Sequence, residues 1–334
     1  MKKRIAIIAG GDSSEHVVSL RSAQGIWSFL NHDKYDVSIV VMKGQDWKLV
    51  SYDGTNYDMD HTWPIDLNDF SAMVDGEKKQ FDFAYIIIHG TPGENGLVQG
   101  YFDLIGMPYS CCGVLAAALT CSKYFCNKYL STMGIPVAKS ILLNKGEKVS
   151  TDDAVAQLGL PMFVKPNSGG SSYATTKVKT ADQLQPAIIE AMNEATGEVI
   201  IESFMQGTEI TCGCYNSRDG LRALPITEVV SKKEFFDLDA KYNGAVEEIT
   251  PARLSEELTL RVQELTKRIY GYVGAKGIIR VDYIIIDGEP HLLEVNTTPG
   301  MTATSFIPQE VRAAGLDISD VMDDVINSSL NLKK

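Results

Sequence analysis

The chain of 334 residues contains no run approaching the roughly 20 consecutive apolar side chains that a membrane-spanning helix needs. It has no surplus of positive charge either: 31 Lys and Arg stand against 43 Asp and Glu, a net charge of −12. A surface of that sign repels polyanions, which argues against broad nucleic-acid binding and docking on anionic membranes. An anionic ligand must then be met by a local cluster of cations. Cysteine is sparse and badly spaced for metal. The six thiols fall at Cys111-Cys112, Cys121, Cys126 and Cys212-x-Cys214, with no CxxC pair, and the five histidines form no HExxH. A structural zinc site and a zinc hydrolase are both unsupported, and buried reduced thiols are expected. The dinucleotide fingerprint GxGxxG and a phosphate loop ending in GK[ST] are also missing.

What is present is ordinary globular material, with 44% hydrophobic and 22% charged residues. Single cores stop growing at roughly 250 to 300 residues, so two or three domains are expected. Met1-Lys2-Lys3-Arg4 followed by Ile5 to Ala9 imitates a secretory leader, but the apolar run is short and Asp12 and Glu15 end it; a cytoplasmic protein is expected. Arg4 to Ala9 reads as a buried strand and Gly10-Gly11-Asp12-Ser13-Ser14 as a turn. Glu15 to Leu30 reads as a helix with Val17, Val18, Ala23, Ile26, Trp27 and Leu30 inward. With Tyr35 to Val41 and Phe83 to Ile88 as further apolar strands, the first hundred or so residues predict an open parallel α/β sheet, whose ligands bind at strand C-termini. One long helix over Val114 to Met133 opens a smaller α+β unit with strands Ser140 to Leu143 and Met162 to Lys165. A third unit is expected from about Val199. Its strands are Val199 to Phe204, Glu209 to Tyr215, Gly277 to Ile286 and Pro290 to Val295, and its helices Ser255 to Val273, Pro308 to Ala314 and Ile318 to Leu330.

Four clusters carry chemistry. Gly10 through Glu15 join a strand to a helix N-terminus, where free backbone N–H groups can meet an anion, although a plain capped turn explains the same residues. Met162-Phe163-Val164-Lys165-Pro166-Asn167-Ser168-Gly169-Gly170-Ser171-Ser172 sets a lysine at a strand end before a loop of small residues. Such a loop suits close backbone approach to phosphate, or serves merely as a linker. Glu202 and Glu209 flank Ser203-Phe204-Met205-Gln206-Gly207, a hinge whose backbone can face a flat ligand, though exposed glutamates are usually only solvated.

The fourth cluster is Arg280-Val281-Asp282, then Glu294-Val295-Asn296, then Thr297 to Met301. Glu294 and Asn296, two apart in a strand, share a face, and two carboxylates with an amide are hard oxygen donors suited to Mg²⁺ beside nucleotide phosphates. The plainer alternative is a polar strand face paired by Arg280. For Asp282 to join that face, the hairpin at Asp287-Gly288 needs an odd loop. A three-residue turn Ile286-Asp287-Gly288, with Gly288 at positive φ, pairs Ile285 with Glu289 and sets Arg280 opposite Glu294. A two-residue turn pairs Asp282 with Leu293 and turns Glu294 away.

In this order, over Gly10 to Ser305, the clusters resemble the ATP-grasp superfamily and, within it, the D-alanine:D-alanine ligases. The segments that carry the resemblance are Gly10-Gly11 through Glu15 with Val18-Ser19-Leu20, His89-Gly90 with Gly93-Glu94-Asn95-Gly96, Lys165-Pro166, Gly170-Ser171-Ser172, Ala240-Lys241-Tyr242, and Leu293 to Thr297 with Pro299 to Thr302. The resemblance implies an α/β and α+β multidomain chain: an N-terminal open parallel α/β sheet over 1–111, then a two-lobed ATP-grasp fold over 112–203 and 204–334. It also implies the chemistry. ATP phosphorylates one D-alanine carboxylate to an acyl phosphate, and the amine of a second D-alanine attacks it, giving a dipeptide for peptidoglycan synthesis. By resemblance, Lys123 and Lys165 contact the ATP phosphates, Glu202, Ser203, Phe204 and Met205 line the adenine, Glu209 takes the ribose and Lys241 steadies the transferred phosphate. Asp282, Glu294 and Asn296 would ligate two Mg²⁺ ions, with Mn²⁺ as a substitute. Glu15 would bind the first ammonium with His89 near its carboxyl group, and Ser305 and Arg280 would take the second carboxylate. Arg280 and the Gly300 N–H would hold the developing oxyanion. Glu15, Ser171 and Tyr242 would form the network that closes the site. The implied partners are D-alanine and ATP, without nucleic acid or membrane, in a homodimer.

Two departures from the family pattern stand out: Tyr173-Ala174 where a small apolar residue and glycine are usual, and Ser203 where lysine is common. Three other readings compete. Tyr242 resembles the dipeptide-forming type rather than a D-alanine:D-lactate ligase. Glu15 and Ser305 weigh against a different ATP-grasp ligase. Arg280, Asp282, Glu294 and Asn296 weigh against a non-catalytic nucleotide binder, which has no need of a two-metal site.

Overall fold

The computed structural model describes residues 2–170, 174–194, 197–231 and 246–331. The first sheet comprises β1 (Lys3–Gly10), β2 (Tyr35–Lys43), β3 (Asp46–Tyr52), β4 (Tyr57–Asp66), β5 (Ser71–Val74), β6 (Glu77–Lys79) and β7 (Phe83–Ile86), in the order β6-β5-β4-β3-β2-β1-β7. The parallel sheet expected here is confined to β2, β1 and β7. The other four strands extend it as antiparallel hairpins, beginning where Lys43 pairs with Asp46 across a turn with Gly44 at φ +54. They escape the apolar pattern because β4 is mostly exposed and carries Asp58, Asp60 and Pro64.

Helix α1 (His16–Phe29) rests on β1 through Ser19, Ser22, Ala23 and Ile26, whereas Val17, expected inward, is 56% exposed. Small side chains let the helix come close. The Ser19 hydroxyl accepts the Gly10 N–H at 2.9 Å and donates to the Ile87 carbonyl at 2.7 Å. At Gly25 a Cβ would stand 2.0 Å from the Met301 carbonyl oxygen, so only glycine lets α1 abut the Thr297 to Met301 loop. Helix α2 (Leu97–Leu104), not anticipated, follows the turn at Gly96.

The single helix expected over Val114 to Met133 is two: α3 (Val114–Cys121) and α4 (Lys123–Thr132). Ser122 is extended at the break and caps α4 by accepting the Phe125 N–H. Strands β8 (Ser140–Asn144), β9 (Met162–Pro166), β10 (Thr176–Val178) and β11 (Glu198–Ser203) form an antiparallel sheet ordered β10-β9-β11-β8. Its apolar face is covered by α5 (Thr151–Leu158) and α6 (Leu184–Glu194). β11 thus belongs to this sheet and not to the third unit expected from Val199.

The third sheet holds β12 (Thr208–Ser217), β13 (Gly220–Ala223), β14 (Thr227–Ser231), β15 (Val246–Ile249), β16 (Ile278–Ile286) and β17 (Glu289–Asn296). One face, with Ile210, Cys212, Ile279, Val281, Tyr283 and Val295, is buried against α7 (Glu256–Tyr272), α3 and α4. Helices α8 (Phe306–Ala313) and α9 (Ile318–Asn331) pack with α1 and β1 in a separate core. All six thiols are free and five are buried, as expected. Among the described residues no helix is long and apolar enough to cross a membrane.

Ala174, one of the two departures, stands at φ +49. That left-handed conformation costs an L-residue roughly 1–2 kcal/mol, while glycine there adds about 0.5–1 kcal/mol of ordering entropy. Ala174→Gly is therefore expected to raise stability by up to about 1 kcal/mol, read as a higher urea midpoint at an unchanged slope.

Candidate active site

A cavity of about 990 Å³ is lined by residues of the second and third sheets and of the loops that follow β1 and β7 of the first. Along β9 the period of two divides the strand: Met162 and Val164 are buried in the core, while Phe163 and Lys165 face the cavity. β11 pairs antiparallel with β9, Glu202 opposite Phe163 and Ile200 opposite Lys165. The Lys165 ammonium meets the Glu202 carboxylate at 2.6 Å, with side chains only 12% and 5% exposed. Burial alone would push the Lys165 pKa down, but Glu202, Glu294 and Glu209 more than offset this and hold it above the ordinary lysine value. Beyond Lys165 the loop is tied to α4 by Asn167, which is fully buried. Asn167 Oδ1 accepts the Tyr124 N–H at 2.8 Å, and its Nδ2 donates to Ser122 Oγ at 2.9 Å and to Glu198 Oε2 at 2.6 Å. This clamp, with the helix break at Ser122, places Lys123 beside the loop. Lys123 Nζ donates to the Gly169 carbonyl at 2.6 Å and lies 3.4 Å from Glu294 Oε2.

The β16–β17 hairpin departs from the expected odd loop. Ile286 pairs with Glu289 across a two-residue turn, with Asp287 and Gly288 at φ +49 and +79; positive φ at both is what a primed hairpin turn requires. Tyr283 then pairs with Leu292, but Asp282 pairs with Glu294, leaving Leu293 as the extra residue of a bulge. The one-residue offset is thus made in the strand and not in the turn. Arg280 consequently faces Asn296 rather than Glu294, yet Arg280, Asp282, Glu294 and Asn296 still share one face, with Thr211 opposite Asp282 on β12.

On that face the Asp282 carboxylate is fully engaged. Arg280 Nε and Nη2 reach Oδ1 and Oδ2 at 2.8 Å each, the Thr211 hydroxyl donates to Oδ1 at 2.6 Å and Asn296 Nδ2 to Oδ2 at 3.0 Å. Burial opposes the charge on Arg280, but Asp282, Glu294 and Glu310 prevail and raise its pKa, so the guanidinium stays charged. Among the described residues no three His, Cys, Asp or Glu side chains converge on a possible metal position. The oxygen donors of Asp282, Glu294 and Asn296 nevertheless fit Mg²⁺ in kind, since that ion is usually held by one or two carboxylates with substrate phosphates completing its shell.

At the opposite wall, His89 is buried with Nε2 3.1 Å from Ser22 Oγ. Glu94 Oε2 accepts the Gly90 N–H and its Oε1 accepts the Thr298 hydroxyl, both at 2.8 Å, which straps this loop to the segment after β17. Burial raises the Glu94 pKa.

Two family models together match most of this chain: "D-ala D-ala ligase N-terminus" over residues 4–112 and "D-ala D-ala ligase C-terminus" over 129–327. The chain belongs to the D-ala D-ala ligase family. It is 61% identical to the D-alanine--D-alanine ligase of Bacteroides fragilis, covering 98% of this chain and 99% of that one. Among solved structures it resembles the VanG D-Ala:D-Ser ligase from Enterococcus faecalis, at 31% identity and TM-score 0.86, over 98% of this chain and 99% of that one. It also resembles the Bacillus anthracis D-alanine--D-alanine ligase complexed with ATP, at 30% identity and TM-score 0.79, over 99% and 98%.

Of the residues singled out from this family's pattern, Glu15, Lys123, Lys165, Glu202, Ser203, Phe204, Met205, Glu209, Arg280, Asp282 and Glu294 line one cavity. His89, Asn296 and Ser305 are each next to, or bonded to, a lining residue, and Gly300 faces Ser305, where a Cβ would lie 2.9 Å from Ser305 Oγ. Glu15 lies so close to Gly170 that a Cβ there would be 2.7 Å from Glu15 Oε2. Ser171, Lys241 and Tyr242 lie outside the described residues. Ser203, the second departure, uses its hydroxyl to accept the Lys139 N–H at 3.1 Å.

Thr211, Phe306 and Glu228 also line the cavity and were not anticipated, as does Phe163, which belongs to the second cluster but was assigned no role there. Phe163 and Phe204 pack with ring centroids 5.8 Å apart, an aromatic wall that the apolar strand pattern hid. Arg253 reaches Glu228 with Nε at 2.9 Å and Nη2 at 2.6 Å and holds its carboxyl below the usual range. No local motif marks Glu228, because only the pairing of β14 with β12 brings it to the site.

Proposed function

We infer that this chain is an ATP-dependent ligase that joins two D-alanines into D-alanyl-D-alanine for peptidoglycan synthesis, through an acyl phosphate, with release of ADP and phosphate. The observation that carries this reading is 61% identity to a D-alanine--D-alanine ligase over nearly the whole chain. The cavity supplies parts for it. The reaction gathers negative charge on transferring and carbonyl oxygens, and Lys123, Lys165 and Arg280 set three cations around one space. Lys123 and Lys165 would hold the ATP phosphates, with Glu202 to Met205 along the adenine and Glu209 at the ribose. Glu15 would take the ammonium of the first D-alanine and His89 its carboxyl group, while Ser305 and Arg280 receive the second carboxylate. A base must first take a proton from the ammonium of the second D-alanine; the free amine then attacks the acyl carbon, forming the C–N bond and breaking the C–O bond to phosphate, and the second proton shed by the nitrogen leaves with the phosphate. Lys241, Ser171 and Tyr242 complete the family pattern for phosphate binding and closure. Asp282, Glu294 and Asn296 would hold two Mg²⁺ ions, or Mn²⁺ in their place, which supply charge neutralisation at the phosphates.

A division at 1–111, 112–203 and 204–334 follows the three sheets, with the last two as the lobes that grip the nucleotide and with α3 and α4 reaching across to the last. A cytoplasmic homodimer is part of the same reading.

The test is phosphate release from ATP followed by product mass. Release is expected only with both Mg²⁺ and D-alanine, giving the alanyl dipeptide; L-alanine is not expected to replace it, because a chiral site must seat ammonium and carboxylate together. Arms with D-serine or D-lactate added to D-alanine decide the acceptor. Equal turnover of L-alanine would refute the assignment.

A further inference from the structure

Glu310, on α8, is a fully buried acid with no part in the reaction above. Ionisable side chains are rarely sealed from water without partners. The Gly213 N–H donates to its Oε2 at 2.7 Å, and the Thr227 hydroxyl lies 3.3 Å from its Oε1 and 2.7 Å from Thr250 Oγ1. Position 213 is bare for this reason: a Cβ there would stand 2.6 Å from Glu310 Oε2 and 2.6 Å from Ile307 Cδ1. Gly213 on β12 pairs with Arg280 on β16, and paired residues share a face, so Glu310 seats α8 at the strand position beside Arg280. Residues four apart on a helix lie on one side. Phe306, four before Glu310, accordingly places its ring 5.2 Å from the Arg280 Cζ. Ser305 occupies the N-cap position of the same helix without a side-chain cap bond, its Oγ turned instead to the preceding loop, where it accepts the Thr302 N–H at 3.1 Å.

We propose that Glu310 is a positioning residue of the acceptor subsite: by locking α8 onto the bare backbone of Gly213, it fixes Ser305 and Phe306 relative to Arg280. Ser305 and Arg280 are the pair that receives the carboxylate of the second D-alanine, so the proposal rests on the ligase reading. A residue that merely filled the core would affect folding and all substrates alike. A lock on α8 acts on the acceptor and leaves the β9–β11 nucleotide wall untouched.

Steady-state kinetics of the full chain, with D-alanine varied at saturating ATP, separate a donor and an acceptor Michaelis constant. Because displacements of about 1 Å can cost on the order of 10²-fold, Glu310→Ala is expected to raise the acceptor constant about 10-fold or more, with the ATP and donor constants within about 2-fold of wild type. Glu310→Gln, which keeps the length and an accepting oxygen, restores the wild-type acceptor constant. If Glu310→Ala does not fold, Thr227→Val decides: loss of one hydrogen bond should raise the acceptor constant alone by roughly 3-fold. All constants moving together, none moving, or Glu310→Gln as impaired as the alanine variant would each overturn the proposal. A wild-type chain without D-alanine-dependent phosphate release would overturn the ligase reading as well, whereas active wild type with unmoved variants overturns only the role of Glu310.

Discussion

Arg280→Met is expected to lower kcat by about 10³-fold, the upper end of what removal of one oxyanion donor costs, and to destabilise the fold by about 3–5 kcal/mol. Methionine keeps most of the volume, so packing is not the cause. The guanidinium grips Asp282 with two bonds of 2.8 Å, and the two side chains are only 16% and 11% exposed. Without it, Asp282 keeps only Thr211 and Asn296, two neutral donors, beside the second carboxylate of Glu294. Removing one partner of a buried ion pair leaves an uncompensated charge, which is why breaking the pair costs more than forming it gains. Phosphate-release kinetics and urea unfolding read the two effects separately. Near-wild-type turnover in a variant of reduced stability would leave Arg280 a purely structural counter-ion.

Lys165→Ala should be nearly as damaging, for two reasons that a double substitution separates. Loss of charge-assisted contacts to phosphate, about 1.5–3 kcal/mol, weakens ATP use roughly 10- to 100-fold. The second cost comes from Glu202, 2.6 Å from the ammonium and 5% exposed, which would be stranded at about 3–5 kcal/mol. Lys165→Ala with Glu202→Gln is expected to regain most of the stability without regaining ATP use, the non-additivity typical of residues in direct contact. An unchanged KM for ATP in the single variant would confine Lys165 to pairing with Glu202.

The strands that carry the site were legible because each is an apolar run interrupted by a charge: Lys165 ends Met162 to Val164, and Asp282 stands between Val281 and Tyr283. Alternation then assigns the charge to one face and the apolar neighbours to the core. The antiparallel strands β3 to β6 were not legible, since β4 is too exposed to impose alternation. The break between α3 and α4 was hidden because helix-favouring residues lie on both sides of Ser122, whose capping role depends on the chain turning there. Thr211, Glu228 and Phe306 reach the cavity only through pairings and packings distant in sequence, which no local pattern encodes. The hairpin was half legible. Gly288 has the expected positive φ, but both turn residues are left-handed, and the compensating offset at Leu293 leaves no mark in composition.

That offset makes the tip of the hairpin an independent cassette. The pairs from Ile286 with Glu289 down to Tyr283 with Leu292 lie on the outer side of the bulge, and the Asp282–Glu294 and Arg280–Asn296 pairs on the inner side. Phase between the two strands is reset between them. Peptides grafted between Asp287 and Gly288 should therefore be carried without disturbing turnover, whether odd or even in length. Deletion of Leu293 would only make the ladder continuous, with Glu294 still opposite Asp282, whereas deletion of Val295 would set Asn296 opposite Val281 and turn it away from Arg280. The molecule thus offers a display site at one end of a strand whose other end tolerates no change of parity.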